Sequence, residues 1–190
     1  MIKRAGSSFG HIDIDYRLRP IFDRAVSEFI EADAEDKRLE REYEATANHT
    51  MVPSMFTTAF RWQEAAVVVL TIGGALIEQM LYHYATTFLD ADWYSERLDR
   101  KPLLYKWRLI PRLCQKKRIS KQDPAMNALS EFIAARNAVV HPKRKVMGRN
   151  PIRAHQRADK ESARFASACR KAASTVNALI KLLESPPPST

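Results

Sequence analysis

The 190-residue chain contains only five glycines and two cysteines. So few glycines argue against a turn-rich all-β fold, because tight hairpin turns depend on glycine for backbone conformations that other residues avoid. The cysteines, Cys114 and Cys169, cannot form a disulfide framework in a chain of this length, and they lack the CxxC spacing of a zinc or thioredoxin-like site. We interpret both as small core residues of a protein in the reducing cytoplasm.

Several functional motifs are also missing from the sequence. It has no glycine-rich phosphate loop, no serine nucleophile elbow, no paired-histidine metal spacing and no internal repeat. Residues Met1 to Ser8 are not followed by an apolar run, so we expect neither a secretory signal nor a membrane anchor there. The expected protein therefore uses no metal ion and no cofactor.

The most apolar segment is short. Residues Ala65 to Ile77 form a run of 13 residues between Glu64 and Glu78, whereas a helix needs roughly 20 apolar residues to span a bilayer. We interpret this segment as a fully buried core helix and expect no association with membranes.

Charge is distributed unevenly along an otherwise ordinary composition. Hydrophobic residues make up 45% and charged residues 28%, as in a soluble globular protein, and the formal net charge is +9. Residues 1–95 hold 9 basic and 15 acidic side chains, a net charge of −6, whereas residues 96–190 hold 22 and 7, a net charge of +15. A basic half of this size indicates attraction to polyanions such as RNA, the alternative being a merely solvated surface.

Hydrophobic positions recur by threes and fours along most of the chain, which is the spacing of one face of an α-helix. We therefore predict an all-α bundle of about five helices. The first helix opens at Pro20 and ends in an exposed charged run from Glu31 to Glu44. The second, from Ala59 to Phe88, is the longest, and its broad apolar surface predicts a central position.

The remaining helices are delimited by prolines and charged connectors. We expect a polar connector over Asp90 to Arg100, then a basic helix that Pro102 opens and Pro111 kinks or interrupts. Asp123 as N-cap and Pro124 as first helical residue predict a fourth helix, which must stop near His141 because Pro142 follows. The rest is predicted as a loop from Lys143 to about Gln156 and one long closing helix carrying Phe165 to Leu183.

This pattern predicts one domain. A single helical bundle is expected over 20–184, flanked by an N-terminal extension over 1–19 and a disordered proline-rich tail over 185–190.

The end of the fourth helix carries an arginine and a histidine five positions apart, Arg136-Asn137-Ala-Val-Val-His141, followed by proline. With the long helix around Glu78 and the segment that begins at Lys106-Trp107, this arrangement resembles the HEPN superfamily of all-α RNA-cleaving domains over about residues 56–145. A second run, Arg149-Asn150 to His155, has a similar spacing, but it contains a proline and follows no amphipathic helix.

The placement of Arg136 and His141 suits phosphate chemistry. Five residues rotate a helix by about 140°, so we expect the two side chains to share a face only if the helix ends there and His141 leaves its path. An arginine fork binds phosphate oxygens at two points, and histidine exchanges a proton near neutral pH. The alternative is that both side chains only cap the helix carbonyls.

The resemblance implies a metal-independent endoribonuclease. In such a reaction the ribose 2′-hydroxyl attacks the adjacent phosphate and leaves a 2′,3′-cyclic phosphate and a 5′-hydroxyl. The resemblance further implies a homodimer with one composite site, RNA such as tRNA or mRNA as substrate, and a role as a toxin or antiviral defence effector restrained by an antitoxin-like protein. The alternative is a HEPN-like module that dimerises or binds RNA or a nucleotide without cleaving.

Further residues are candidates for supporting roles. Asn137 would orient the pair or hold substrate, unless it only makes a helix-end hydrogen bond. Glu78 could pair with Arg136, unless it is an exposed side chain at the edge of the apolar face. Three basic residues directly after the motif could guide the RNA backbone or form a solvated loop: Lys143, Arg144 and Lys145. We expect the tryptophans and tyrosines of the predicted helices to pack in the core rather than stack on bases: Trp62, Trp107, Tyr82, Tyr84 and Tyr105.

Overall fold

A computed structural model describes residues 17–45, 53–140 and 151–185, with side chains described from 54 in the second range and from 160 in the third. Within these ranges the chain forms seven α-helices and no strand, which confirms the all-α class. The helices are α1 (Arg19–Ala45), α2 (Pro53–Phe88), α3 (Ala91–Arg97), α4 (Leu103–Gln115), α5 (Pro124–Val140), α6 (Pro151–Arg170) and α7 (Ala172–Glu184).

Helix α2 is the centre of the fold and packs against each of the other six helices. Its buried face includes Leu70, Ile77 and Tyr84, all of which are fully buried. Packing is tight at Gly73, where an added Cβ would lie 2.7 Å from the Phe22 ring and 2.8 Å from the Phe132 ring. The central position predicted from the breadth of its apolar surface is therefore confirmed.

The prediction of full burial for Ala65 to Ile77 is wrong in part. Val67 and Val68 are 41% and 39% exposed, and Phe56 and Phe60 nearer the start of α2 are 54% and 64% exposed. Between residues 54 and 88, α2 is long and apolar enough to cross a membrane by length and composition, and 56% of its most apolar window is buried in the fold. Such a half-buried profile is shared by core helices of soluble proteins.

The segment Asp90 to Arg100, expected to be a polar connector, contains the short helix α3. The Asp90 carboxylate caps it by accepting hydrogen bonds from the backbone N–H groups of Asp92 at 3.0 Å and Trp93 at 3.1 Å. Tyr94 and Leu98 then pack into the core. With only two apolar anchors over two turns, the helical period is too short to recognise in sequence.

The number of helices also exceeds the predicted five at the C-terminal end. Helix α6 begins at Pro151, so the expected loop to Gln156 is shorter than predicted. The single closing helix is divided at Lys171, although Lys171 N–H still donates to the Ser167 carbonyl and Thr175 N–H to the Lys171 carbonyl. The boundary between α6 and α7 is thus a local irregularity in a nearly continuous series of helical backbone hydrogen bonds. Helix α4 runs through the buried Pro111 and ends four residues later.

One buried carboxylate ties three helices together. Asp33 of α1 accepts two hydrogen bonds from Arg170 at 2.7 and 2.8 Å, one from Lys37 at 2.7 Å and one from the Trp62 indole at 3.3 Å. The Arg170 hydrogen bond, opposed by burial and assisted by Lys37 and Trp62, holds the pKa of Asp33 well below its usual range. This cluster fixes the end of α6 against α1 and α2.

The start of α5 agrees with the sequence prediction. Asp123 accepts a hydrogen bond from the Ala125 backbone N–H at 2.8 Å, and Pro124 is the first helical residue. The helix continues to Val140, the last described residue before 151. The predicted stop at His141 and the proline-rich tail beyond Ser185 lie outside the described residues.

Candidate functional site

Helix α5 delivers Arg136 onto the surface of α2. One turn earlier, Phe132 is 1% exposed and lies against Gly73, so it anchors α5 on α2. Arg136 follows four residues later on the same face and lies across Gly74, where an added Cβ would come within 3.0 Å of its Nε and 3.1 Å of its Cδ. The two consecutive glycines therefore receive two consecutive turns of α5.

The Nε atom of Arg136 is buried and has no hydrogen-bond partner. Among the described residues no carboxylate pairs with its guanidinium, whereas Arg19, Arg38 and Arg170 bind carboxylates. Arg108 Nε on α4 is likewise buried and without a hydrogen-bond partner. A buried N–H donor without a partner costs about 1–3 kcal/mol. An arginine in this state is suited to an anionic ligand, because a phosphate supplies the missing acceptor.

Glu78, expected to pair with Arg136, is engaged elsewhere. Its Oε1 accepts a hydrogen bond from Lys106 Nζ at 2.7 Å, and the carboxylate side chain is 49% exposed. The physical reason is that α4 places the Lys106 ammonium in the interior, where a charge without a partner is energetically costly. Glu78 thus lies half-exposed at the edge of the apolar face, as the alternative predicted, and its ion-pair partner is Lys106.

The side chain of Lys106 is only 1% exposed, and its ammonium lies 5.8 Å from the centre of the Tyr94 ring. Burial lowers the pKa of Lys106, but its hydrogen bond to Glu78 and the nearby acidic groups of Glu78, Tyr94 and Asp99 outweigh burial, so the pKa of Lys106 is raised above the usual value. Lys106 is therefore a buried cation at neutral pH, compensated by the half-exposed carboxylate of Glu78.

The sequence did not assign a role to Lys106 or to Gly74. A signal for the lysine was present, because Lys106 lies at helical spacing from Leu103 and Ile110 and so on the apolar face of its helix. No comparable signal marks Gly74, since its use depends on which helix packs over it.

The other predicted site residues divide into two groups. Asn137 is exposed on α5 beside Arg136. The remaining four lie outside the described residues: His141, Lys143, Arg144 and Lys145. In the second arginine-to-histidine run, α6 begins at Pro151, and Arg149 and Asn150 lie outside the described residues.

The aromatic residues follow the core prediction only in part. Trp107 and Tyr84 are fully buried, and Trp62 packs between Phe29 and Phe165 with ring centres 5.6 and 5.5 Å away. Two tyrosines depart from the prediction, because Tyr82 and Tyr105 are 38% and 50% exposed. Tyr82 nevertheless rests edge-on against Tyr94 at 5.1 Å.

Neither cysteine is placed to act as a nucleophile. Cys169 is buried, Cys114 is partly buried, and both are free thiols. Burial raises the pKa of each thiol to about 12, which disfavours the reactive thiolate at neutral pH. In the described part of the chain, no group of three or more histidine, cysteine or acidic side chains could hold a metal ion.

Comparison with known proteins identifies no relative of the chain. No protein-family model matches the chain, and neither the search of curated proteins nor the search of solved structures finds a similar protein.

Proposed function

We propose that the chain is a metal-independent endoribonuclease with a HEPN-like bundle, in which Arg136 binds and polarises the phosphate and His141 serves in proton transfer or substrate orientation. The observation that carries this proposal is the buried Arg136 Nε without a hydrogen-bond partner. His141 follows five positions later in the sequence, directly after the last described residue of α5.

The proposed reaction needs only groups that RNA and these side chains supply. The 2′-hydroxyl loses its proton and attacks the adjacent phosphorus, and the bond from phosphorus to the 5′-oxygen breaks as that oxygen takes up a proton. Arg136 stabilises the negative charge that develops on the phosphoryl oxygens, and His141 exchanges the proton. The products are a 2′,3′-cyclic phosphate and a 5′-hydroxyl end.

The charge distribution supports RNA as the substrate class. Arg136 belongs to the half of the chain with a net charge of +15, and Lys143, Arg144 and Lys145 follow it within ten residues. Positive charge near the site raises the local concentration of a polyanion and steers its approach.

The test is cleavage of bulk tRNA and mRNA by the purified chain with EDTA present. Wild type is expected to produce fragments whose 5′ ends accept a label directly from polynucleotide kinase. Arg136→Ala and His141→Ala should each lower the rate by about 100-fold or more, whereas Arg112→Ala, which removes an exposed arginine of α4, should not. Equal rates for wild type and the two site variants would show that the catalytic assignment is wrong.

The non-cleaving alternative gives a different result in the same experiment. A module that only binds RNA or a nucleotide retains salt-dependent affinity after His141→Ala and releases no cyclic phosphate. Such a module would still lose RNA affinity in Arg136→Ala, because the Arg136 guanidinium is the group that contacts the anion under this hypothesis too.

The homodimer with a composite site belongs to the same proposal. It is supported by exposed apolar side chains along one side of α2, with Phe56, Phe60 and Val67 spaced by four and seven residues, because such strips mark interaction surfaces. Sedimentation equilibrium should give twice the chain mass for wild type and a weaker dimer for Phe60→Asp. A wild-type monomer at all concentrations would remove the composite site from the proposal.

The proposal includes a role as a toxin or antiviral effector, which requires that the chain cleave enough cellular RNA to stop growth of the host cell. Expression in a bacterial host should then arrest growth for wild type but not for Arg136→Ala, and a restraining antitoxin-like protein should relieve the arrest. Normal growth during wild-type expression at equal protein levels would argue against this role and against cytoplasmic toxicity.

A further inference from the structure

The strongest unassigned feature near the site is the buried lysine that holds Glu78. Positions 74 and 78 of α2 are one helical turn apart, and side chains at that spacing are neighbours, with Cβ positions about 6 Å apart. Arg136 Nε lies against position 74. Glu78 therefore projects from the face of α2 that the Arg136 side chain crosses at Gly74, one helical turn away.

An arginine and a carboxylate that project from one helix face can form an ion pair. Bidentate pairing with a carboxylate satisfies two N–H donors of a guanidinium at once. In this structure the Glu78 carboxylate instead accepts from Lys106 at 2.7 Å, and Arg136 Nε has no partner. Lys106 therefore holds the carboxylate that lies one turn of α2 from the glycine beneath Arg136.

The geometry explains why the lysine keeps this carboxylate. The Lys106 side chain is 1% exposed, so its ammonium has little access to water and depends on Glu78 and on the Tyr94 ring. Arg136, by contrast, is only partly buried, and solvent or a ligand can reach the outer part of its guanidinium. If the Glu78 carboxylate paired with Arg136 instead, the more deeply buried ammonium of Lys106 would lose its anion.

We infer that Lys106 is a positioning residue of the anion site: it holds Glu78 and thereby leaves Arg136 open to a phosphate group of the RNA. This inference rests on the proposed function, because it assigns to Lys106 the control of the same phosphate contact.

The test compares charge-matched variants in binding to a fluorescein-labelled single-stranded RNA. Lys106→Met keeps the length of the buried stem and frees Glu78 to pair with Arg136, which should weaken RNA binding about three- to fivefold, the size of a partly exposed ion pair. Adding Glu78→Gln should restore affinity to within about twofold. The control Lys106→Met/Glu28→Gln has the same net charge as that double variant, removes an exposed carboxylate of α1, and should stay weak.

A second measurement is independent of RNA. The Nε–Hε resonance of Arg136, assigned by its loss in Arg136→Lys, should shift in Lys106→Met and return in Lys106→Met/Glu78→Gln. An unchanged resonance and unchanged affinity in Lys106→Met would overturn the inference while the effect of Arg136→Ala still supports the proposed function. If Arg136→Ala leaves RNA affinity unchanged, the proposed function fails, and the resonance still decides whether Lys106 controls Glu78.

The single variant Glu78→Gln keeps the inference testable if Lys106→Met does not fold. The glutamine carbonyl can still accept from Lys106, so wild-type affinity should change less than about twofold, because the carboxylate is already occupied. A gain of fivefold or more would show that Glu78 already competes for Arg136 in the wild type, which contradicts the assignment.

Discussion

Arg136 lies directly across Gly74: a Cβ at position 74 would come 3.0 Å from the arginine Nε. The neighbouring Gly73 is closed in by rigid rings instead, with Phe22 at 2.7 Å and Phe132 at 2.8 Å from the same kind of added atom. Gly74 thus makes room for the flexible, charged side chain of Arg136, whereas Gly73 makes room for two aromatic rings of the core.

This contrast predicts opposite consequences for two identical substitutions. Gly73→Ala should destabilise the fold by about 1–3 kcal/mol, because the aromatic rings cannot move away without repacking. Gly74→Ala should leave stability unchanged or raise it by up to about 1 kcal/mol through helix propensity, since the arginine side chain can shift. It should, however, weaken RNA binding, and urea unfolding together with RNA titration measures both effects. Equal loss of stability for the two variants would contradict this distinction.

Replacing Arg136 by methionine should separate function from stability. Methionine retains the stem that packs over Gly74 and removes the buried Nε that has no partner. The free energy of unfolding is expected to rise by about 1 kcal/mol, since a buried unsatisfied donor is lost, while RNA binding falls. A fall in stability of that size would favour the alternative in which the arginine only caps the end of the helix.

The Asp33 cluster predicts a pH-dependent contribution to stability. Because the folded pKa of Asp33 is lowered below its ordinary value of 3.8, its contribution is fully present above that value and is lost as the pH falls toward the folded pKa. Asp33→Asn should therefore cost about 1–3 kcal/mol at pH 7, and the difference from wild type should shrink below pH 3.8. Urea unfolding at pH 7, 4 and 2.5 measures it.

The exposed Glu35, paired with Arg38 on the same helix, provides the control for that series. Glu35→Gln should leave the unfolding midpoint close to that of wild type at each pH, because solvent screens an exposed pair. A constant Asp33→Asn difference across the three pH values would contradict the ionic origin of the contribution.

The N-cap of α5 predicts how firmly the motif helix is held. Asp123→Ala removes the acceptor for the Ala125 N–H and should cost about 1 kcal/mol. Asp123→Asn keeps a capping oxygen and should cost no more than a few tenths of a kcal/mol. Similar losses for both variants would show that charge, and not the hydrogen bond, stabilises this end.

The course of the helices was largely predictable from sequence because long amphipathic segments carry enough periodic positions. The part of α2 from Ala59 to Phe88, the Asp123-Pro124 start of α5 and the charged extension of α1 all followed from spacing and end signals, whereas the first turns of α2, from Pro53, were not predicted. The two-turn helix α3 and the division at Lys171 did not, since a few residues carry too little periodicity and a local irregularity leaves no compositional trace.

The candidate site divides in the same way. The sequence by itself determined that an arginine stands near the end of an amphipathic helix, five positions before a histidine, in the basic half of the chain. Only the tertiary structure decided which groups surround it: Gly74 beneath its stem, Glu78 drawn to Lys106, and Nε left without an acceptor. The physical reason is that spacing along a chain fixes the face of a helix, whereas pairing of charges depends on burial and on the helices that pack against that face.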